Sequence, residues 1–227
     1  MIKYVFCMTR PDHWFDVAEA LFKQKIAEPV IWLGDDYHEE KAKETFGTEI
    51  LSLLDCVHYP HEIKLKNIKI EDSGFFTSQN YLRAKDRCLK MMDRIDTYGQ
   101  LTRIDREAYF NKLSLIFISI IERRRPTALV MAEAPHSHAQ YLLYEICAYF
   151  ALKIAWFNNW MIGPIMNLQN MNTMELIPKK NIQSDVDVEQ YFILVDNYIE
   201  NLNRKWLGEF EHDYMIAQRN SLKLSNK

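Results

Sequence analysis

The sequence is short of glycine, with six in 227 residues, which excludes collagen-like repeats and Gly-rich flexible linkers. Cysteine is sparse and dispersed: Cys7, Cys56, Cys88 and Cys147 never come within thirty positions of one another. No CxxC-type metal or redox pair can therefore be built. Each thiol sits in an apolar stretch, where free cysteine behaves as a small hydrophobe, so reduced core thiols in a cytoplasmic protein are expected. Long hydrophobic runs are missing as well. The longest, Leu113 to Ile121, is interrupted by Ser114 and Ser119 and falls far below the ~20 residues of a membrane span. The apolar run at Ile2–Met8 is too short for a signal-peptide core and has no small-residue cleavage site. A soluble chain without a transmembrane segment is expected, with contact at a membrane surface left open. An excess of one charge is also lacking. Lys+Arg total 28 and Asp+Glu 31, a net charge of −3, which speaks against a basic nucleic-acid binder. Neither GxGxxG nor GxxxxGK[ST] follows any apolar run, so a standard dinucleotide dehydrogenase or P-loop NTPase is not expected.

What remains is an ordinary globular mixture, 48% hydrophobic and 26% charged, too apolar for a disordered chain. The length suits one large domain, or one domain with an appendage. Ile2–Met8 reads as a strand buried on both faces, as parallel sheets require. Trp14, Val17, Ala18, Leu21 and Phe22 recur at helical spacing, which predicts a helix over Trp14–Gln24 with Asp12 as its N-cap. A second strand is expected at Pro29–Leu33, and a charged helix at His38–Phe46 closed by Gly47. A third strand falls within Glu49–Leu54 and Val57–Tyr59. Ile63–Thr77 alternates weakly. Two long helices then follow, Asn80–Tyr98 with Leu82, Leu89, Met92 and Ile95 on one side, and Arg106–Arg125. Ala128–Ala132 is the clearest interior strand. Ser137 with Gln140 forms a capping-box signature at the head of a helix carrying Leu142, Leu143, Ile146 and Phe150. Lys153–Phe157 is a fifth strand, Met161–Leu168 a weaker extended run, and Asp185–Glu211 a long terminal helix.

Strands and helices alternating in this way predict an α/β, Rossmann-like open parallel sheet with helices on both faces. The expected domain covers residues 1–180, with a helical insertion at about 80–125 between strands three and four. Residues 181–227 supply the C-terminal helix and a polar tail. In such sheets ligands bind beyond the carboxyl ends of the strands. The loops after the strands would then gather the candidate ligand-contacting residues Arg10 and His13, Asp35, Ser137 and His138, and Asn158.

Glu133-Ala134-Pro135-His136-Ser137-His138 is the densest of these loops. A glutamate at the end of an apolar strand is partly desolvated, which raises its pKa and suits a general base. His136 suits an acid, a base or a phosphate contact. Blander readings stand beside these: Ser137 as a cap only, and His138 facing solvent in a first turn. Arg10 suits bidentate recognition of phosphate or carboxylate, or is a surface charge in a capped turn. His136 and His138 offer two metal ligands, with His13, Asp35, Asp36 and His38 as further candidates. No spacing demands a site, and no metal is expected. Arg123-Arg124-Arg125 either binds an anion or complements the negative end of its helix. The mixed charges from Arg83 to Arg106 read as a solvated helical face with ion pairs.

Ala128–Phe157 resembles the corresponding stretch of capsular and surface-polysaccharide biosynthesis proteins. The features that carry the likeness are the apolar strand, Glu133-x-Pro135-His136-Ser137, Leu143-Tyr144, and Lys153-Ile154-x-Trp156-Phe157. Those proteins are similar to GT-B glycosyltransferases, which have two Rossmann-like halves around a cleft. Close likeness covers about 30 residues, and the N-terminal strand–helix–strand agrees in outline. The half that generally holds the nucleotide-sugar donor has no counterpart in 227 residues. The resemblance therefore implies an acceptor-side domain, with Glu133 and His136 as catalytic residues facing the cleft, Glu133 as the base and His136 as a phosphate or hydroxyl contact. It implies a sugar or nucleotide-sugar ligand, no other cofactor, and a second GT-B half or another copy of the chain as partner. The alternative is a non-catalytic binding or assembly module serving a separate catalytic subunit.

Overall fold

A computed structural model describes residues 1–7, 13–34, 38–58, 68–96, 99–159, 166–170, 196–197 and 199–200, with the backbone only at 13, 158–159 and 166–170. Among the described residues there are six strands: β1 (Ile2–Cys7), β2 (Ala27–Gly34), β3 (Glu49–Ser52), β4 (Ala128–Met131), β5 (Lys153–Asn159) and β6 (Met166–Asn170). The helices are α1 (His13–Lys23), α2 (Glu39–Phe46), α3 (Leu53–His58), α4 (Gln79–Ile95), α5 (Arg103–Arg124) and α6 (His138–Tyr149). The sheet order is β3-β2-β1-β4-β5-β6. The pairs β2/β3, β1/β2, β1/β4 and β4/β5 are all parallel. This is an α/β, Rossmann-like open parallel sheet, with the chain reversing its direction of winding between β1 and β4.

Side chains alternate across β1, and the two faces differ in chemistry. On one face Phe6 packs on Trp32 and on Trp14 of α1, while Phe46 of α2 meets Trp32, Phe15 and Phe22. This layer is built mostly from aromatic rings. On the other face Val5, Cys7, Ile31, Leu33, Leu129 and Met131 join a largely aliphatic core with α4, α5 and α6. Helix α5 buries ten residues from Tyr109 to Ile121, the pattern of a helix surrounded by protein. Its serines do not disrupt that core, because each has a partner. Ser114 donates to the Phe110 carbonyl at 2.8 Å, and Ser119 accepts from the Lys69 N–H at 3.2 Å. All four cysteines are buried and free.

Local chemistry explains the boundaries. Gly47 adopts the left-handed conformation (φ 62°) that closes α2. Thr102 and Asp105 cap α5 reciprocally. Between Tyr4–Pro29 and Val5–Ile31 the β1/β2 register slips, leaving Val30 as an extra residue beside a proline that has no N–H to donate. The extended segment expected at Val57–Tyr59 is corrected at Val57, which belongs to α3. Ser52 accepts from the Asp55 N–H at 3.2 Å and starts that helix. Residues 68–73 form no strand, and Gly74–Thr77 is a 3₁₀ turn. On α4 the buried side consists of Ala84, Cys88, Leu89 and Met92, whereas Leu82 is 55% exposed. Asp12 and Tyr59 lie outside the described residues. So does most of Asp185–Glu211, of which 196–197 and 199–200 are helical.

The chain divides into two compact units, Met1–Asn158 with Asn167–Ile177, and Asn159–Met166 with Pro178–Lys227. Among the described residues no helix is long and apolar enough to cross a membrane.

Candidate functional site

The site begins with the exit of β4. Ala132 N–H donates to the Cys7 carbonyl at 3.0 Å, so the chain leaving β4 is tied to the last residue of β1. Helix α1 follows β1 onto the aromatic face, and α6 follows β4 onto the aliphatic face. The two crossovers part here, the position at which ligands bind in such sheets. Glu133 is the next residue after that tie.

Five residues on, the chain re-enters a helix. Ser137 is the N-cap of α6, and its hydroxyl accepts from the Gln140 N–H at 3.3 Å. The Gln140 amide oxygen turns back and accepts from the His136 N–H at 3.1 Å, the Ser137 N–H at 3.0 Å and the Ser137 hydroxyl at 3.1 Å. The Gln140 amide nitrogen donates to Glu133 Oε1 at 3.3 Å. The second carboxylate oxygen of Glu133 meets His136 Nε2 at 2.8 Å. Glu133 is one-fifth exposed, His136 is 62% exposed, and Gln140 is buried. The arrangement is a carboxylate–imidazole pair supported from beneath by a buried amide.

An ionised carboxylate only accepts hydrogen bonds. The Nε2 of a neutral His136 must then carry the proton, which leaves Nδ1 as the basic nitrogen. Cys7 lies beneath this loop but is no nucleophile. Burial first, and then the Glu133 charge, push its thiol up to about 12, against a hydrogen bond from Gln140 that works the other way.

No family model, curated protein or solved structure matches this chain. The chemistry of the site must therefore be read from its own residues.

Of the residues expected at the rim, Glu133, His136 and Ser137 come together. His138 does not join them. It is 2% exposed, its ring stands edge-on to Tyr109 at 5.8 Å, and among the described residues neither ring nitrogen has a partner in good hydrogen-bond geometry. Burial pushes its pKa down to about 4, with His58 repelling the charged form and the nearby Cys56 carbonyl partly opposing. His138 is therefore not a solvent-facing residue. His13 opens α1 and Asn158 lies near the end of β5, and for both only the backbone is described. Arg10, Asp35 and Asp36 lie outside the described residues. His38 is buried and stacks on Phe15 at 5.5 Å. Among the described residues no three His, Cys, Asp or Glu side chains assemble as metal ligands.

The alternating charges of α4 form ion pairs, as their pattern suggested. Lys85 pairs with Glu107, Lys90 with Asp86, and Arg106 with Asp93 and Asp96. Two contacts were not foreseen. Exposed Arg94 brings its guanidinium to 3.5 Å from the His136 carbonyl, placing a cation beside the loop. Arg83 reaches across to Glu145, a carboxylate only 2% exposed that also accepts from Asn80 at 3.0 Å and Tyr141 at 2.8 Å. The signal for both lay in the antiparallel packing of α4 on α6, which no local motif encodes.

A groove of about 720 Å³ lies at the other end of the sheet, lined by Lys69, Glu122 and Arg123–Arg125 among others. Four of its charged side chains, Glu49, Glu122, Arg123 and Arg124, are engaged within the chain. Arg123 and Arg124 both bind Glu49, and Glu122 accepts from the Glu71 and Asp72 N–H groups at 2.7 and 2.8 Å. Arg123 and Arg124 thus fasten the end of α5 to the start of β3.

Proposed function

We propose that this chain is a glycosyltransferase-like, acceptor-side domain of surface-polysaccharide biosynthesis, with its site at the carboxyl ends of β1 and β4. The observation that carries the reading is the 2.8 Å contact between Glu133 and His136 at the exit of β4. With Glu133 holding Nε2–H, His136 Nδ1 takes the proton of an acceptor hydroxyl. The acceptor oxygen then bonds to the anomeric carbon of the donor sugar. The bond from that carbon to the departing phosphate breaks, and the phosphate leaves with the electron pair. Arg94 supplies positive charge at the same rim. In this assignment His136 is the base and Glu133 its orienting partner, a departure from the roles the resemblance implies, in which Glu133 is the base.

The test incubates the purified chain with nucleotide sugars and hydroxyl acceptors and follows sugar transfer by mass spectrometry. Removing a general base costs about 10²–10⁴-fold, so His136→Gln should lower transfer by that factor and Glu133→Gln by a smaller one. Transfer that is unchanged in His136→Gln overturns the reading. Donor binding without transfer, lost in a Glu133/His136 double variant, also overturns it in favour of a binding module.

A further inference from the structure

The capping box at the head of α6 accounts for only part of what Gln140 does. A glutamine that merely caps a helix needs its amide oxygen, and its NH₂ group is free to point into water. Here the oxygen is fixed by three donors, from the His136 and Ser137 backbone and the Ser137 hydroxyl. The amide is planar, so those three bonds also set the direction of its nitrogen. That nitrogen faces Glu133 Oε1, and at 1% exposure water cannot replace the bond. With Oε1 anchored, the second oxygen of Glu133 points away from Gln140 and towards His136.

We propose that Gln140 is a positioning residue: its buried amide anchors one end of the side chain at 133, so that the other end is held against His136 Nε2. This inference rests on the reading of Glu133 and His136 as the reacting pair. Which end of the side chain at 133 faces Nε2 decides which imidazole nitrogen is left basic at the rim.

That choice can be reversed by substitution. In Glu133→Gln the Gln140 amide still donates, so it claims the oxygen of Gln at position 133 and leaves the new NH₂ facing His136. His136 must then accept through Nε2 and carry its proton on Nδ1. In the double variant Glu133→Gln/Gln140→Glu the carboxylate at 140 accepts from that NH₂, which turns the oxygen back towards His136 and restores Nε2–H. Glutamate serves a capping box as well as glutamine does, so α6 is preserved in both variants.

The experiment records long-range ¹⁵N–¹H spectra of neutral His136 in the wild-type chain and both variants, with thermal melts as the control for folding. The expected tautomers are Nε2–H, then Nδ1–H, then Nε2–H again. The same tautomer in the single and double variants overturns the positioning role and leaves the base assignment standing. A positive tautomer series together with undiminished sugar transfer in His136→Gln would overturn the transferase reading and keep this inference.

Discussion

Replacing His138 by phenylalanine should flatten the dependence of stability on mildly acidic pH. In the folded chain the ring is buried against Tyr109 of α5 and beside Cys56 and His58 of α3, while Cys88 of α4 donates its thiol to the His138 carbonyl. Its pKa falls from 6.5 to about 4. The unfolded chain therefore takes up a proton near pH 6.5 that the folded chain refuses until about pH 4. His138 imposes no penalty above about pH 6.5. Stability drains away as the pH drops from there towards 4 and levels off below. At 1.36 kcal/mol per unit, the loss between pH 6.5 and 5 is about 2 kcal/mol, reaching about 3 kcal/mol by pH 4. The carboxyl groups held low by their partners, Asp72, Asp96, Asp105 and Glu107, begin from ordinary values of 3.8 to 4.5 and lose their partners' help only in stronger acid. The window from 6.5 to 5 thus lies above the range of these carboxyls, and comparison with His138→Phe cancels what the other histidines contribute. Urea unfolding followed by circular dichroism at pH 7 and pH 5 should show His138→Phe losing about 2 kcal/mol less than the wild type. An equal loss in both proteins would refute the reasoning.

Three further outcomes are expected. Arg83→Met leaves Glu145 buried without its cation and should cost about 3 kcal/mol in urea unfolding. Glu145→Gln keeps hydrogen-bonding capacity and should cost about 1 kcal/mol, and a reversed ranking would contradict the burial of this carboxylate. A methyl group on Gly34 would come within 2.6 Å of the indole nitrogen of Trp32, itself fully buried. Gly34→Ala should therefore destabilise by about 1–3 kcal/mol and shift tryptophan fluorescence, whereas an unaltered melt would show that the ring can yield. Burial raises the pKa of all four thiols, so Ellman's reagent should find none reactive in the native chain at pH 8 and four after denaturation.

Much of the sheet was legible because its central strands are short apolar runs with distinct stops. Ala128–Met131 and Ile2–Cys7 could hardly be anything else in an alternating chain. Helix α3 was lost because Leu51 to Leu54 runs through the strand–helix boundary, and only the Ser52–Asp55 contact marks the change. Leu82 was placed on the wrong side because the packed face of α4 is chosen by its neighbours. Ala84 and Cys88 are small enough to admit α6, and periodicity cannot see a partner. The pairing of Glu133 with His136 follows from a spacing of three across a turn. His138 misled because two positions along the chain at a helix start carry a side chain to the other side. It belongs to the core although its neighbour belongs to the rim. Arg94 had no local mark at all, since its place depends on two helices meeting some forty residues apart.

Tyr4 pairs with Ala128, roughly 120 residues later in the chain. Joining β1 to β4 thus requires closure of a very long loop before any ladder bond compensates the lost entropy. Until then β1 offers a bare edge, open to pairing with other chains as they emerge. Assembly of this sheet should accordingly be slow and sensitive to protein concentration, with β1/β2 forming early and the Cys7–Ala132 tie closing late. The candidate dyad sits on that last seam, so a properly paired Glu133 and His136 would mark a molecule that has finished folding.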